Sequence, residues 1–111
     1  MGSTKLEKDY KFLTSIQQSW YQSYYLYELA LFQFLDGNEE NALESVNKAI
    51  SHYSAELDII LGYAWLLKGM IYDKMGNIIE AKKAYKACMM LDNYSAAMER
   101  ANQYYQILNN K

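Results

Sequence analysis

Apolar and polar positions along this chain follow one pattern that occurs twice, 39 residues apart. Within each copy, apolar residues recur every three or four positions, which is the spacing of an amphipathic helix. A fixed internal period predicts stacked copies of one helical unit, each burying its apolar face against its neighbour. The matched positions are Leu26, Ala30, Gly37, Asn38, Ala42, Val46 and Ala49 in the first copy and Trp65, Gly69, Gly76, Asn77, Ala81, Tyr85 and Cys88 in the second.

Each copy predicts two helices joined by a tight turn. Gly37 and Gly76 can adopt the left-handed conformation that ends a helix, and Asn38 and Asn77 can cap the helix that follows. Glu80 stands at the third position of its helix, where its carboxylate can return to the cap. Small residues that let paired helices approach closely are predicted at Ala30, Ala42, Gly69 and Ala81.

Composition agrees with an all-α fold in one domain. The 111 residues include no proline and five glycines, and 51% are apolar, which is enough for a single core. The net charge of −2 falls short of the basic surface expected for nucleic-acid binding. Charged residues interrupt every apolar run before the roughly 18–20 residues that a membrane span needs. The N-terminus lacks the apolar core of a secretory signal and Cys88 is the one cysteine, so we expect a cytoplasmic protein.

Two repeats alone would leave apolar ends, so we expect flanking helices to cap them. We predict an N-terminal helix over 4–21, a first repeat over 23–54, a second repeat over 57–92 and a C-terminal capping helix over 94–108. Ser95 can cap the last helix. The residues predicted to face inward on that helix are Ala97, Ala101, Tyr104 and Leu108.

Candidate catalytic and metal-binding groups are few. His52 is the one histidine, and it neighbours Ser51 and Ser54 only along the sequence, where a helix points adjacent side chains apart. Cys88 occupies a small-residue position of the repeat, which favours a buried structural thiol. Two cysteine and histidine residues in all are too few for a structural metal site. We therefore expect no enzymatic activity, no cofactor and no metal.

At this level of detail the two copies resemble the tetratricopeptide repeat, a helix-turn-helix unit of about 34 residues. Lys68, Cys88 and Asn93 depart from the family's leucine, alanine and proline, and Gln33 stands where tyrosine is usual. The resemblance covers about 23–93. The 39-residue period of this chain exceeds the family's by five residues, which we interpret as extra helical turns between the copies. The resemblance implies antiparallel helix-turn-helix repeats stacked as a short right-handed superhelix. The residues that carry it best are Trp65, Gly69, Tyr72, Gly76, Asn77, Ala81 and Tyr85.

The resemblance also implies where a partner binds, because the first helix of each family repeat lines a concave groove. The partner-binding residues predicted on that basis are Tyr24, Tyr27, Leu31, Phe34, Tyr63, Leu66, Met70 and Asp73. Seven of these eight are apolar or aromatic, whereas chaperone-binding relatives hold a peptide carboxylate with Lys, Arg and Asn. If exposed, they form an apolar patch that suits a hydrophobic or amphipathic helix. The alternative is that the capping helices cover them as core.

Two functional hypotheses follow for this sequence. The first is a non-enzymatic scaffold or adaptor that binds an apolar or amphipathic peptide in its groove, with no role for nucleic acid or membrane. The second is a homo-oligomeric structural module whose groove is occupied by its own copy. The twelve tyrosines fit either hypothesis, because tyrosine suits both interfaces and half-buried helix positions.

Overall fold

A computed structural model describes residues 19–51, 58–91 and 95–110, and over these ranges every regular element is an α-helix. The predicted all-α class is therefore confirmed. The predicted N-terminal helix over 4–21 and the extra turns between the copies lie almost wholly outside the described residues, as does His52. The helices are α1 Ser19–Leu35, α2 Glu39–Ser51, α3 Asp58–Lys74, α4 Ile78–Met89 and α5 Ala96–Asn109.

The 39-residue period of the sequence is also the period of the backbone. Helices α1 and α3 begin 39 residues apart and end 39 residues apart, and each is followed by the same turn. The N–H of Asn38 and that of Asn77 each donate to the carbonyl five residues earlier, at 2.9 Å in both turns. Gly37 and Gly76 have φ of 85° and 83°, so both occupy the predicted left-handed region.

Two predicted helix caps are present in the structure. The Asn77 side chain accepts a hydrogen bond from the Glu80 N–H at 3.4 Å, and the Ser95 hydroxyl accepts one from the Met98 N–H at 3.2 Å. The expected return of the Glu80 carboxylate to its cap is not made. That carboxylate lies 3.2 Å from Lys83 Nζ, and the turn already uses the Asn77 N–H.

The helices form two layers, because each packs on the next helix of the chain and α1, α3 and α5 also pack side by side. Contacts join α1 to α2, α2 to α3, α3 to α4 and α4 to α5, and further contacts join α1 to α3 and α3 to α5. Helices α2 and α4 do not meet. One layer therefore contains α1, α3 and α5, and α5 stands where the first helix of a third repeat would stand.

The core is divided into two clusters, each shared by three consecutive helices. Because no pair of helices closes a core by itself, each unit depends on its neighbour for burial, as in other repeat arrays. The apolar positions that match between the copies are buried on α2 and α4, as are the predicted inward-facing residues of α5 apart from the partly buried Tyr104; we call these faces the inward stripes of α2, α4 and α5. The first cluster contains Leu26, Ala30, Ala42, Val46, Ala49, Ala64, Leu67 and Ile71, and the second contains Leu66, Ala81, Tyr85, Cys88, Ala97, Ala101 and Leu108.

The two repeats fill the space between their paired helices differently. In the first, Ala30 of α1 and Val46 of α2 are both fully buried. At the matched positions of the second, Gly69 of α3 leaves room for the whole ring of Tyr85 from α4, which is 1% exposed. A Cβ at Gly69 would overlap two carbons of that ring. The larger side chain of Tyr85 is therefore accommodated by the absence of a side chain opposite it.

Candidate binding groove

A groove opens on the layer formed by α1, α3 and α5, where the resemblance places partner binding. The groove contains an open cavity of about 270 Å³ that receives side chains from four helices. Three of the predicted site residues, Phe34, Met70 and Asp73, line it together. The residues that line the cavity are Phe34, Met70, Asp73, Lys74, Tyr85 and Tyr104.

Three of these lining residues were not predicted from the sequence as groove residues. Tyr104 reaches the groove because α5 continues the α1 and α3 layer, which its inward-facing pattern alone could not show. Tyr85 belongs to the other layer and reaches across only because Gly69 offers no side chain in its way. Lys74 follows Asp73 directly, at the end of α3.

The remaining predicted residues of the first repeat lie along the same layer. Tyr24 is 40% exposed, and its hydroxyl donates to Glu28 Oε1 at 3.1 Å. Tyr27 is half-buried, and its ring centroid lies 6.3 Å from that of Tyr63 on the neighbouring α3. Leu31 packs partly on the first core cluster and partly lines a second cavity, of about 260 Å³. The structure thus brings Tyr27 and Tyr63 together. On α1, Tyr24 lies about one turn before Tyr27 and Leu31 about one turn after it.

Leu66 differs from the other predicted groove residues because it belongs to the core. It is 8% exposed and lies in the cluster that contains Ala97, Ala101 and Leu108 of α5. The capping helix therefore covers this position, which is the alternative considered above for the groove residues. The coverage is less complete at Met70 and Asp73, one turn or more farther along α3, because both side chains are half-buried.

Two charged side chains line the cavity, and they differ in how the chain partners them. Lys74 Nζ lies 3.4 Å from Glu39 Oε2 of the first repeat and 5.3 Å from the centroid of the Phe34 ring. Asp73 instead accepts a hydrogen bond from the uncharged Tyr85 hydroxyl, at 3.4 Å to Oδ2. Burial, together with the charge of Asp73, raises the pKa of Tyr85, so this phenol stays a neutral donor.

Cys88, the candidate reactive group of the sequence, is a buried thiol between the paired helices. Its Sγ donates to the Gly62 carbonyl at 3.2 Å. In the first repeat the matched positions exchange roles, because the Ser23 hydroxyl of α1 donates to the Ala49 carbonyl of α2 at 2.8 Å. Each repeat therefore links its two helices by one side-chain bond to backbone, and the thiol serves this structural purpose.

We expect Cys88 to resist alkylation in the folded protein. Burial raises the pKa of its thiol from 9.0 to about 11, so at pH 8 the folded chain presents about a hundredfold less thiolate than the unfolded chain. Iodoacetamide labelling followed by intact mass should therefore be slow in buffer and rapid in denaturant. Equal rates in the two conditions would contradict the buried structural thiol.

Other chemistry is limited over the part of the chain that the structure describes. Within residues 19–51, 58–91 and 95–110, no three His, Cys, Asp or Glu side chains come together as a metal ion would require. No helix in these ranges is both long enough and apolar enough to cross a membrane. The groove is thus the feature of these ranges from which we argue function.

Consecutive helices of this chain alternate between two layers, and one layer carries the groove. This arrangement defines a helical-repeat protein. Residues 62–95, which contain most of α3 and all of α4, match the family model described as Tetratricopeptide repeat. This segment therefore carries a tetratricopeptide repeat, and the predicted family resemblance is confirmed over it. Repeats of this family generally mediate protein–protein interactions and are typically non-enzymatic. Searches of curated proteins and of solved structures returned no match.

Proposed function

We propose that this chain is a non-enzymatic scaffold that binds an apolar or amphipathic peptide helix in the groove of α1, α3 and α5. The observation that carries the proposal is the cavity of about 270 Å³, whose walls are mostly apolar or aromatic and come from all three helices of that layer together with Tyr85 of α4. Because these walls belong to different repeats, a single peptide lying across them would contact the array as a whole.

The size of the cavity favours a peptide over a small ligand. Pockets for small molecules usually enclose about 300–1,000 Å³, whereas this cavity is smaller and open to one side. It suits one or two anchoring side chains of a helix whose other apolar residues lie along α1. Met70 can adjust its shape to such an anchor, and Tyr104 offers a large ring with a polar end.

Substitution of Met70 by alanine is expected to weaken peptide binding about tenfold while leaving the fold intact. The side chain packs against the second core cluster but is partly exposed in the cavity wall, so its loss removes contact area from the complex and costs the fold less than the loss of a fully buried side chain would. The measurement is fluorescence anisotropy with labelled helical peptides selected on the full chain from a display library.

Met90→Ala is the matched control, because Met90 is 74% exposed at the end of α4 and lies outside the groove. It should bind the same peptides as the unsubstituted chain does. Equal affinity of the two variants would count against the groove. Unfolding of Met70→Ala, seen by circular dichroism, would show that Met70 is core instead.

The second hypothesis, a homo-oligomer, is favoured by apolar side chains that are exposed away from the cavity. Leu35 is 74% exposed and Ile107 is 56% exposed, at the ends of α1 and α5. Light scattering after size exclusion, over a hundredfold range of concentration, distinguishes the hypotheses. A constant monomer mass supports an external partner, and a mass that rises with concentration supports self-association.

A further inference from the structure

We propose that the groove selects a peptide helix with a basic side chain, arginine or lysine, and that Asp73 is the residue that selects it. This inference rests on the proposed function, because it assigns a chemistry to the partner of the same groove. It is carried by the contrast between the two charged side chains that line the cavity.

The positive charge in the cavity wall is already satisfied within the chain. Lys74 pairs with Glu39 across the repeat boundary and lies over the Phe34 ring. It therefore has an anionic partner and an aromatic one before any peptide binds. An acidic peptide would have to compete with Glu39 for this cation.

The negative charge in the wall has no such partner in residues 19–51, 58–91 and 95–110. No cation of these ranges lies within 4.0 Å of the Asp73 carboxylate, and its hydrogen bond from Tyr85 is made by a neutral hydroxyl. Arg100 stands one turn before Tyr104 on α5, but it does not line the cavity. A carboxylate in an apolar wall attracts a cation more strongly than it would in open water.

The surroundings of Asp73 suit a cation in particular. The Tyr85 hydroxyl is bound to Oδ2, which orients the carboxylate and leaves Oδ1 for a partner. The partly exposed ring of Tyr104 lies beside the buried ring of Tyr85, with the two ring centroids 5.6 Å apart, and a guanidinium or ammonium group packs favourably on an exposed ring such as that of Tyr104. The cavity already contains one contact of this kind, between Lys74 and Phe34.

The test is a selection from one display library of amphipathic helices in which a single central position is varied among Arg, Lys, Gln and Glu. The full chain and its variants Asp73→Asn and Asp73→Lys serve as targets. Asparagine keeps an acceptor for Tyr85 but removes the charge, so the fold should be retained. Glu44→Lys is the matched control, because Glu44 is exposed on α2, outside the groove, and its substitution changes the net charge equally.

We expect the unsubstituted chain and Glu44→Lys to bind the Arg or Lys peptides about tenfold more tightly than the Gln peptide. Asp73→Asn should lose this preference, and Asp73→Lys should favour Glu. Peptides that bind all four targets with the same charge preference would overturn the role of Asp73 and leave the groove intact. If Met70→Ala weakens the binding of none of these peptides, the groove is not the binding site, and the proposal of a basic partner fails with it. If the chain self-associates and Asp73→Lys converts it to a monomer, the cation that meets Asp73 belongs to a second copy of the chain. That result would overturn the proposal of an external peptide.

Discussion

Gly69→Ala is expected to lower the free energy of unfolding by about 2 kcal/mol. Alanine is the better helix former by about 1 kcal/mol, so propensity alone predicts the opposite sign. The new methyl group, however, would overlap the ring of Tyr85, which is 1% exposed and cannot move aside without disturbing its neighbours. Overpacking of this kind costs about 1–3 kcal/mol and more where the neighbour is fixed. The measurement is urea unfolding followed by circular dichroism.

The first repeat supplies the compensating substitution for this test. Its Ala30 and Val46 occupy the positions of Gly69 and Tyr85, so the double variant Gly69→Ala/Tyr85→Val copies a pair that the chain already uses. Tyr85→Val alone should cost about 3 kcal/mol through the cavity it leaves. The double variant should cost at least 1 kcal/mol less than the sum of the two single variants. Strict additivity would show that the two positions do not share one space.

Ser45→Ala is expected to lower the free energy of unfolding by about 2 kcal/mol. The Ser45 hydroxyl donates to Gln33 Oε1 at 2.7 Å, and the two side chains are 7% and 4% exposed. Alanine would leave the Gln33 acceptor buried without this donor, which costs about 1–3 kcal/mol. Ser51→Ala is the matched control on the same helix, because Ser51 is exposed where it donates to the Lys48 carbonyl. It should change stability by less than about 0.5 kcal/mol.

The second repeat again supplies the rescue. Tyr72 and Ala84 occupy the positions of Gln33 and Ser45, so Gln33→Tyr/Ser45→Ala converts the polar pair of the first repeat into the pair of the second. We expect this double variant to recover most of the stability that Ser45→Ala loses. A double variant no more stable than Ser45→Ala would contradict the idea that the two pairs are interchangeable solutions.

Most of the fold could be predicted from local features of the sequence. The glycine turns, the Asn77 and Ser95 caps and the inward stripes of α2, α4 and α5 depend on interactions within a few residues, and all of them are present. Gln33 stands where the family usually has tyrosine, and this is a departure from the repeat pattern. Its explanation lies twelve residues away, in Ser45, and needs the packed structure.

The groove could be predicted only in part, because its lining depends on which helix covers which. Phe34, Met70 and Asp73 meet in one cavity as the resemblance implied, whereas Leu66, at an equally suitable position, is covered by α5. Tyr104 and Lys74 complete the wall from positions that the family pattern does not mark. No local spacing reports Tyr104 as a neighbour, since it comes from α5, beyond the whole of α4.

By itself the sequence determined the described helices, their turns, the period of the array and the resemblance of its second copy to a known repeat, because these follow from backbone conformation and from periodic burial. The tertiary structure alone decided that the Tyr85 ring occupies the space opposite Gly69, that Lys74 pairs with Glu39 while Asp73 accepts from a neutral hydroxyl, and that Leu66 is core. The physical reason is that packing and charge pairing are properties of residues brought together across helices. A repeat can conserve its backbone while it exchanges those side chains position by position.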